Sequence, residues 1–420
     1  MRVLVVGSGG REHALVWALS KSERVTKIFC APGNGGIASL AEVVPLGVME
    51  FEAIGEFAVR EKVDLVVVGP DDPLAEGIVD HLEAMGLKVF GPRRAAARIE
   101  GSKIFMKELC AKYGIPTAKF AIFDDPEAAR AYVEAGPIPV VLKADGLAAG
   151  KGVIVARSRE EALEGVEKIM VERAYGEAGA RLIVEEFMEG VEVSILSFVD
   201  GELVRPMVEA RDHKPLLDGD RGPNTGGMGT YSPVPEIERS VLEQAVREII
   251  EPAARAMVQE GRPFRGVLFA GLMITEEGPR LVEFNARLGD PETQVVLPRM
   301  KTDLFEVLWA TVEGKLGEIE LEWSEEAAVC VVLASEGYPG TYPKGLPITG
   351  LDDVEGLVFQ AGTVRDGEEV RTAGGRVLGV VGMGADLGEA RDRAYREVEK
   401  IHFEGVYRRG DIAGAYRPRQ

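Results

Sequence analysis

The sequence predicts a multidomain protein of α/β and α+β units: a parallel α/β domain over residues 1–100, a larger mixed domain over 101–326 and a small mixed C-terminal domain over 327–420. Three observations predict it. The chain has 420 residues, more than a single hydrophobic core organises, so roughly two to four compact units are expected. In the first hundred residues the runs RVLVVG, KIFCAPGNGG, DLVVVGP and LKVFGP each end in a turn bearing glycine or proline, with helical stretches at Arg11 to Ser20 and Leu74 to Met85 between them. From Gly101 the order changes to a helix, a glycine-rich hairpin and long apolar strands, with no internal repeat or low-complexity tract.

Ligands on a parallel sheet collect at the carboxyl ends of its strands, so the turns of the first domain are its working edge. GSGGREH offers Gly7 and Gly9 of a dinucleotide fingerprint, but Glu12 stands where the third glycine belongs. KIFC then runs into Ala31, Pro32 and Gly33 with no carboxylate to hold a ribose hydroxyl, which argues against NAD. Gly9 and Gly10 at a helix N-terminus, with Arg11 beside them, suit one phosphate monoester better than a plain turn.

The second domain opens with a helix in GSKIFMKELCAKYGIP, Gly101 to Pro116. KADGLAAGKGV follows, and it fails as a nucleotide P-loop. Three residues, not four, separate Gly146 from Gly150 and Lys151, and Gly152 stands where Ser or Thr would hold magnesium. Its flanks, Ile138 to Ala144 and Val153 to Ala156, read as strands, so the loop is a hairpin. Such a hairpin can lay backbone N–H groups on a polyphosphate, and an ordinary flexible turn explains it as well.

Next comes VEEFMEGVE, Val184 to Glu192, which ends one strand and starts another. Its free backbone groups suit an adenine edge and Glu192 a ribose, although taken alone the acids read as solvated surface. A glycine-rich loop, RDHKPLLDGDRGPNTGGMGTYSPVP, precedes a helix from about Glu236 to Glu260 and the strands FRGVLFAGLMI and PRLVEFNAR. On the last strand Glu283 and Asn285 stand two apart and share a face, so both oxygens can meet one hard cation such as magnesium or manganese. The C-terminal domain, opened by AAVCVVLASEG and closed by a helix around Glu389 to Glu399, reads as a structural cap.

A formal charge of −20 gives nucleic acid or an anionic membrane no broad basic surface, so any phosphate site is local. No apolar run reaches the length of a membrane span and the first residues lack the pattern of a signal peptide. Cys30, Cys110 and Cys330, odd in number and set among apolar residues, read as reduced core residues of a cytoplasmic protein. Asn34, Asn224 and Asn285 are the only asparagines, and all fall in the segments singled out here.

In order along the chain, Lys103 before a helix, Lys143 ending a strand, the glycine hairpin, EEFMEG and E-F-N resemble the ATP-grasp fold over nearly the whole length. With GSGGREHAL, GPDDPLAEGIVD, EARDHKPLLDGDRGPNTGGMGTYSPVP and EFNARLGDPETQ added, the chain is similar to the phosphoribosylamine–glycine ligase family of purine biosynthesis. That resemblance implies an ATP-grasp core with a lid over about 120–190, preceded by a pre-ATP-grasp domain. It implies ATP and Mg2+ or Mn2+, with glycine and 5-phosphoribosylamine as substrates; channelling partners stay open.

Carried onto this sequence, the resemblance places Lys103 and Lys143 on the phosphates under a lid of Gly146, Gly150, Lys151 and Gly152. Glu185 and the backbone of Glu186 and Met188 face adenine, Glu192 the ribose, and Glu283 and Asn285 the metal. Catalysis falls to Lys143, Arg287 and Asp290. Asp212 or Asp290 meets the glycine ammonium or incoming amine, and Arg287 the carboxylate or acyl phosphate. Asn224 and Thr225 help hold the ribosyl substrate, His213 hydrogen-bonds substrate or structures its loop, and Gly9, Gly10, Arg11 and Asn34 meet the substrate phosphate. The strand before Glu283 offers no further acid near Ala270, which leaves the number of metal ions open.

Overall fold

Branched apolar runs closed by glycine or proline become the strands of the first domain. The computed structural model describes residues 1–146 and 152–416. β1 (Arg2–Gly7), β2 (Lys27–Pro32), β3 (Glu42–Val43), β4 (Leu65–Val68) and β5 (Val89–Phe90) form a parallel sheet in the order β3-β2-β1-β4-β5. The central β1 and β4 are buried along their apolar residues because helices cover both faces. Those helices are α1 (Gly10–Leu19), α2 (Phe51–Arg60), α3 (Asp71–Ala75), α4 (Ile78–Ala84) and α5 (Arg94–Gly101). The single helix expected over Leu74 to Met85 is two, because Gly77 at φ +91° takes a left-handed turn between α3 and α4.

α6 (Lys103–Tyr113) opens the second domain. Its first turn is capped by Ser102, whose hydroxyl accepts the N–H of Phe105, a contact worth about 1 kcal/mol. β6 (Phe120–Phe123), β7 (Val140–Ala144), β8 (Val153–Ala156) and β9 (Leu182–Glu186) make an antiparallel sheet ordered β6-β9-β7-β8. It has its own apolar cluster, including Val133, Leu142, Val166, Ile169 and Leu182, separate from the main core. A small sheet with a private core is a unit able to move as one body.

β10 (Val191–Asp200), β11 (Leu203–Pro206), β12 (Arg211–Asp212), β13 (Pro215–Leu217), β14 (Arg221–Asn224), β15 (Gly229–Ser232), β16 (Arg265–Thr275) and β17 (Gly278–Asn285) follow. The larger sheet runs β11-β10-β16-β17, and a bridge between Thr117 and Leu281 joins its edge to the segment entering the smaller sheet. The glycine-rich stretch expected as a loop is corrected here, because it contains β12 to β15. β15 pairs on one side with β12 and on the other with β18 (Ala327–Ala334), next to which lies strand Arg376–Gly384. One sheet therefore spans the boundary between the second and third domains. Cys30, Cys110 and Cys330 are buried free thiols, and burial pushes all three up in pKa, as expected of inert core residues.

Candidate active site

The region expected to hold a nucleotide is built where α6, β7, β9 and β17 converge. Asp145 accepts from the Ser102 hydroxyl at 2.9 Å and the Ile104 N–H at 3.1 Å, tying the end of β7 to the first turn of α6. That tie sets Lys103 beside the hairpin, where its Nζ donates to the Gly146 carbonyl at 2.7 Å. The hairpin is closed by the Ala144 N–H on the Gly152 carbonyl at 2.9 Å, whereas Gly150 and Lys151 lie outside the described residues. Lys143 is diagonal to Glu185 across the β7–β9 pair, on the same face, and its Nζ lies 3.0 Å from the Glu185 carboxylate.

Glu186 turns its carboxylate away: it accepts from the Lys119 N–H at 2.9 Å and pairs with Arg280 at 3.3 Å. The Glu186 N–H is likewise taken, by the Lys119 carbonyl at 3.0 Å, and half-buried Met188 follows between β9 and β10. Glu192, at the start of β10, is half exposed and lies 3.6 Å from Lys214.

On β17 the register slips at Val282, which leaves Glu283 opposite Gly271 and Asn285 opposite Phe269. Both flank buried Phe284 and keep part of their surface open. Burial opposes the charge on Glu283, yet Lys214, Lys143, Lys103 and Arg287 together hold it below the usual carboxylate range. Among the described residues no cluster of three His, Cys, Asp or Glu side chains surrounds a point. One carboxylate and one amide carbonyl still fit a hard cation that completes its shell with water and phosphate.

At the other end, Arg287 reaches back to the first two domains' junction. Its guanidinium lies 3.0 Å from Glu100 and 3.8 Å from Asp71, and it donates to the Leu288 carbonyl at 3.2 Å; its buried Nε has no acceptor among the described residues. Asp212 faces buried Glu292 and Lys214. Burial and the Glu292 carboxylate push Asp212 up to about 7, against the pull of Lys214. Glu292 is also raised, chiefly by burial, and accepts from the Ser194 hydroxyl at 3.3 Å.

Several residues expected at the substrate are committed to the protein. Asn34 is the plainest correction: its amide donates to the Ser8 and Gln360 carbonyls at 2.8 and 2.7 Å, and its oxygen accepts from Gly36 and Ile37. It braces the β2 turn against the C-terminal domain, and its side chain has no polar atom left for a phosphate. Arg11 is buried, pairs with Glu12 at 2.5 Å and donates to the Leu288 carbonyl at 3.1 Å. Glu12 fills the space over Gly7 and Gly69, where a Cβ would meet it, and accepts from the Gly9 N–H at 2.6 Å. That carboxylate closes the crevice a dinucleotide would need.

Asp290 sits over the N-terminus of α1. It accepts from Gln294 at 2.8 Å, stands 3.5 Å from the Arg11 N–H and 3.6 Å from Arg376; despite burial, Arg376 and Arg11 keep it ionised. With Asp290 so occupied, Asp212 is the freer carboxylate for an ammonium group. Thr225 donates to the Lys214 carbonyl and accepts from the Gly227 N–H, so its hydroxyl shapes the loop, while Asn224 is exposed at the end of β14. Gly227 at φ +116° packs on Pro291, and an added Cβ would come within 2.5 Å of that ring.

The cap contributes more than cover. Arg376 donates to the Gly226 and Asp290 carbonyls at 2.6 and 2.8 Å, and fully buried Arg409 to the Pro215 carbonyl at 2.9 Å. His213 accepts from the Ala413 N–H at 3.5 Å and faces Asp220 at 3.6 Å, so it belongs to the same clasp. His13 accepts from the Gln360 N–H at 2.8 Å and is pulled down to about 4 by burial, so it stays neutral near pH 7 and joins domains without moving protons.

Lys107, Lys214, Glu292, Glu100 and Arg376 were not singled out from the sequence. Lys214 and Glu292 had a usable signal, the first adjoining Asp212 and His213 and the second two residues after Asp290; the others meet the site only through tertiary contacts.

Three family models match consecutive parts of the chain: phosphoribosylglycinamide synthetase N domain over residues 1–100, ATP-grasp (A) domain over 101–293 and C domain over 328–415. A phosphoribosylamine–glycine ligase of Caldanaerobacter subterraneus subsp. tengcongensis is 52% identical, covering 99% of this chain and 100% of its own. A solved structure of a phosphoribosylamine–glycine ligase from Thermotoga maritima matches with TM-score 0.87 at 36% identity, covering 98% of this chain and 100% of that one. A biotin carboxylase from Campylobacter jejuni, 15% identical over 97% of this chain and 92% of its own, shares the fold at TM-score 0.74.

Proposed function

The chain belongs to the phosphoribosylglycinamide synthetase family, and from that premise we propose how its cleft joins glycine to 5-phosphoribosylamine with ATP as the phosphoryl donor. The observation that carries the reading is the ring of Lys103, Lys143, Lys214 and Arg287 about Glu283, at the meeting of the two sheets of the second domain.

A glycine carboxylate oxygen attacks the γ-phosphorus of ATP, the bond to the β-phosphate oxygen breaks, and ADP and glycyl phosphate form. The amine nitrogen of phosphoribosylamine then attacks the acyl carbon; phosphate leaves and the amide forms as the nitrogen loses a proton. An anion attacking a polyanion is resisted by charge, so fixed cations have to be in place beforehand. Lys103 and Lys143 are assigned to the phosphates, the backbone at Glu186 and Met188 to adenine, Glu192 to the ribose, and Arg287 to the glycine carboxylate and acyl phosphate.

Asp212, with Lys214 and Glu292 behind it, is assigned to the ammonium or incoming amine, and the GPNTGGMG segment with Asn224 to the ribosyl group. The Gly10 end of α1 is assigned to its phosphate, the Gly9 N–H being taken by Glu12. Glu283 and Asn285 would hold Mg2+ or Mn2+, which supplies charge neutralisation at the β- and γ-phosphates. Glycyl phosphate is lost if water reaches it, so the 143–153 hairpin is assigned the closing lid. The reaction is placed in the cytoplasm, where all three substrates are small and soluble.

The reading is tested by ADP formation. Turnover is expected to require glycine and to reach its full rate only with phosphoribosylamine; equal turnover with bicarbonate and indifference to glycine would favour a carboxylase instead.

A further inference from the structure

We infer that Lys107, a lysine of α6 that never reaches solvent, is a positioning residue for the nucleotide: acting through Glu185 and Thr117, it locks Lys143 and β17 in register beneath the triphosphate. The inference rests on the nucleotide reading given above and extends it to a residue that touches no substrate.

Lys107 is 0% exposed, and its ammonium lies 3.2 Å from one oxygen of Glu185, whose other oxygen is 3.0 Å from Lys143. It also donates to the Thr117 hydroxyl at 2.7 Å, and that hydroxyl donates to the Leu281 carbonyl at 2.7 Å, two residues before Glu283. A single ammonium thus links α6, which carries Lys103, to β9 and β7 through Glu185 and to β17 through Thr117. These are the elements that meet at the proposed nucleotide.

Stability does not account for it. Moving an ammonium out of water costs several kcal/mol, and well-packed apolar replacements of buried ion pairs are often as stable or more so. Burial draws Lys107 below the usual lysine range, while Glu185 pulls back. The arrangement has an electrostatic product instead. Glu185 shared between two lysines leaves a net charge of about +1 at the floor of the site, in surroundings where Coulomb interactions are strengthened. Without Lys107, Glu185 would neutralise Lys143 alone, and the floor would offer the phosphates a neutral pair.

The test uses full-length protein, with ADP titrated calorimetrically and ATP and glycine varied in steady-state assays. Lys107→Met is expected to raise the Kd for ADP and the KM for ATP by about 10-fold or more and to leave the KM for glycine within about 2-fold, with Lys107→Arg recovering most of the loss. Thr117→Val, which removes the hydroxyl anchor and no charge, is expected to shift nucleotide binding the same way by a smaller factor. Folded Lys107→Met with ordinary ADP affinity, or with equal losses for all substrates and no rescue by arginine, overturns the inference. If that variant fails to fold, ordinary nucleotide affinity in Thr117→Val overturns it. Wild-type protein that binds no ADP overturns both this inference and the nucleotide reading.

Discussion

Lys214 faces Glu283 at 4.0 Å, so the carboxylate assigned to the metal already has a cation before it. Burial works against the charge on Lys214, yet Glu192, Asp212 and Glu283 raise its pKa, so it stays protonated. A divalent ion entering at Glu283 has to share that carboxylate with the lysine. Lys214→Met is therefore expected to bind Mn2+ several-fold more tightly without nucleotide while kcat falls about 100-fold, because charge on the transferring group is left uncompensated. Manganese titration by electron paramagnetic resonance with parallel ADP assays checks this; an unchanged manganese affinity would show that the two cations do not compete.

Replacing Glu283 by glutamine removes the carboxylate on which Lys214, Lys143, Lys103 and Arg287 all act. Turnover is expected to drop by about 1,000-fold. The ligand-free variant should also melt a few degrees lower at low salt, as the cations repel one another, and saturating ADP should restore much of that loss. Thermal melts with and without ADP decide it. A variant that keeps its turnover at ordinary magnesium removes Glu283 from the metal site.

Asp212, raised to about 7, is protonated in the folded chain where an unfolded chain would ionise it. The folded state then binds more protons than the unfolded between about pH 4 and 7, so this group lowers stability as pH rises through that window and adds no further slope above it. Only its ionised form attracts an ammonium. kcat/KM for glycine is expected to climb as pH rises through about 7 and to lose that limb in Asp212→Asn. A rising limb that persists in the variant assigns it to another group.

His13, lowered to about 4, gives the opposite sign. Both states are neutral above the unfolded value near 6.5. Below it the unfolded chain takes the proton first, and roughly 3 kcal/mol at most is lost as pH falls through 4. Glutamine at this position supplies an acceptor for the Gln360 N–H that does not charge. His13→Gln is expected to be less acid-labile in denaturant titrations at pH 4.5, with activity at pH 7 within about 2-fold of the parent; equal acid sensitivity would mean that other groups govern it.

Local order made the strands of the first sheet and the pair flanking the glycine-rich turn, β7 and β8, legible in the sequence, because each is specified by neighbours a few residues away, whereas β12 to β15 were hidden in a glycine-rich stretch. Lys107 was not legible, since a lysine inside a helix is ordinarily solvated, and only Glu185, far along the chain, and Thr117, just past the helix end, explain its burial. The same holds for Arg376, which reaches the Gly226 carbonyl from 150 residues away. Asn34 misled for the converse reason: an asparagine after a strand looks like a ligand until Ser8 and Gln360 are seen to take its amide. The Leu74 to Met85 pattern hid a break because its apolar spacing continues on both sides of Gly77.

Four buried residues, Gly229 to Ser232, lie between a neighbour from the middle of the polypeptide and another beyond its three-quarter point. Cutting the gene at codon 326 would strip one side of that ribbon and leave its backbone donors and acceptors open to self-association. Such a truncation is thus a poor route to a minimal nucleotide binder, and insoluble product is its expected fate. Engineered appendages belong at surface turns instead.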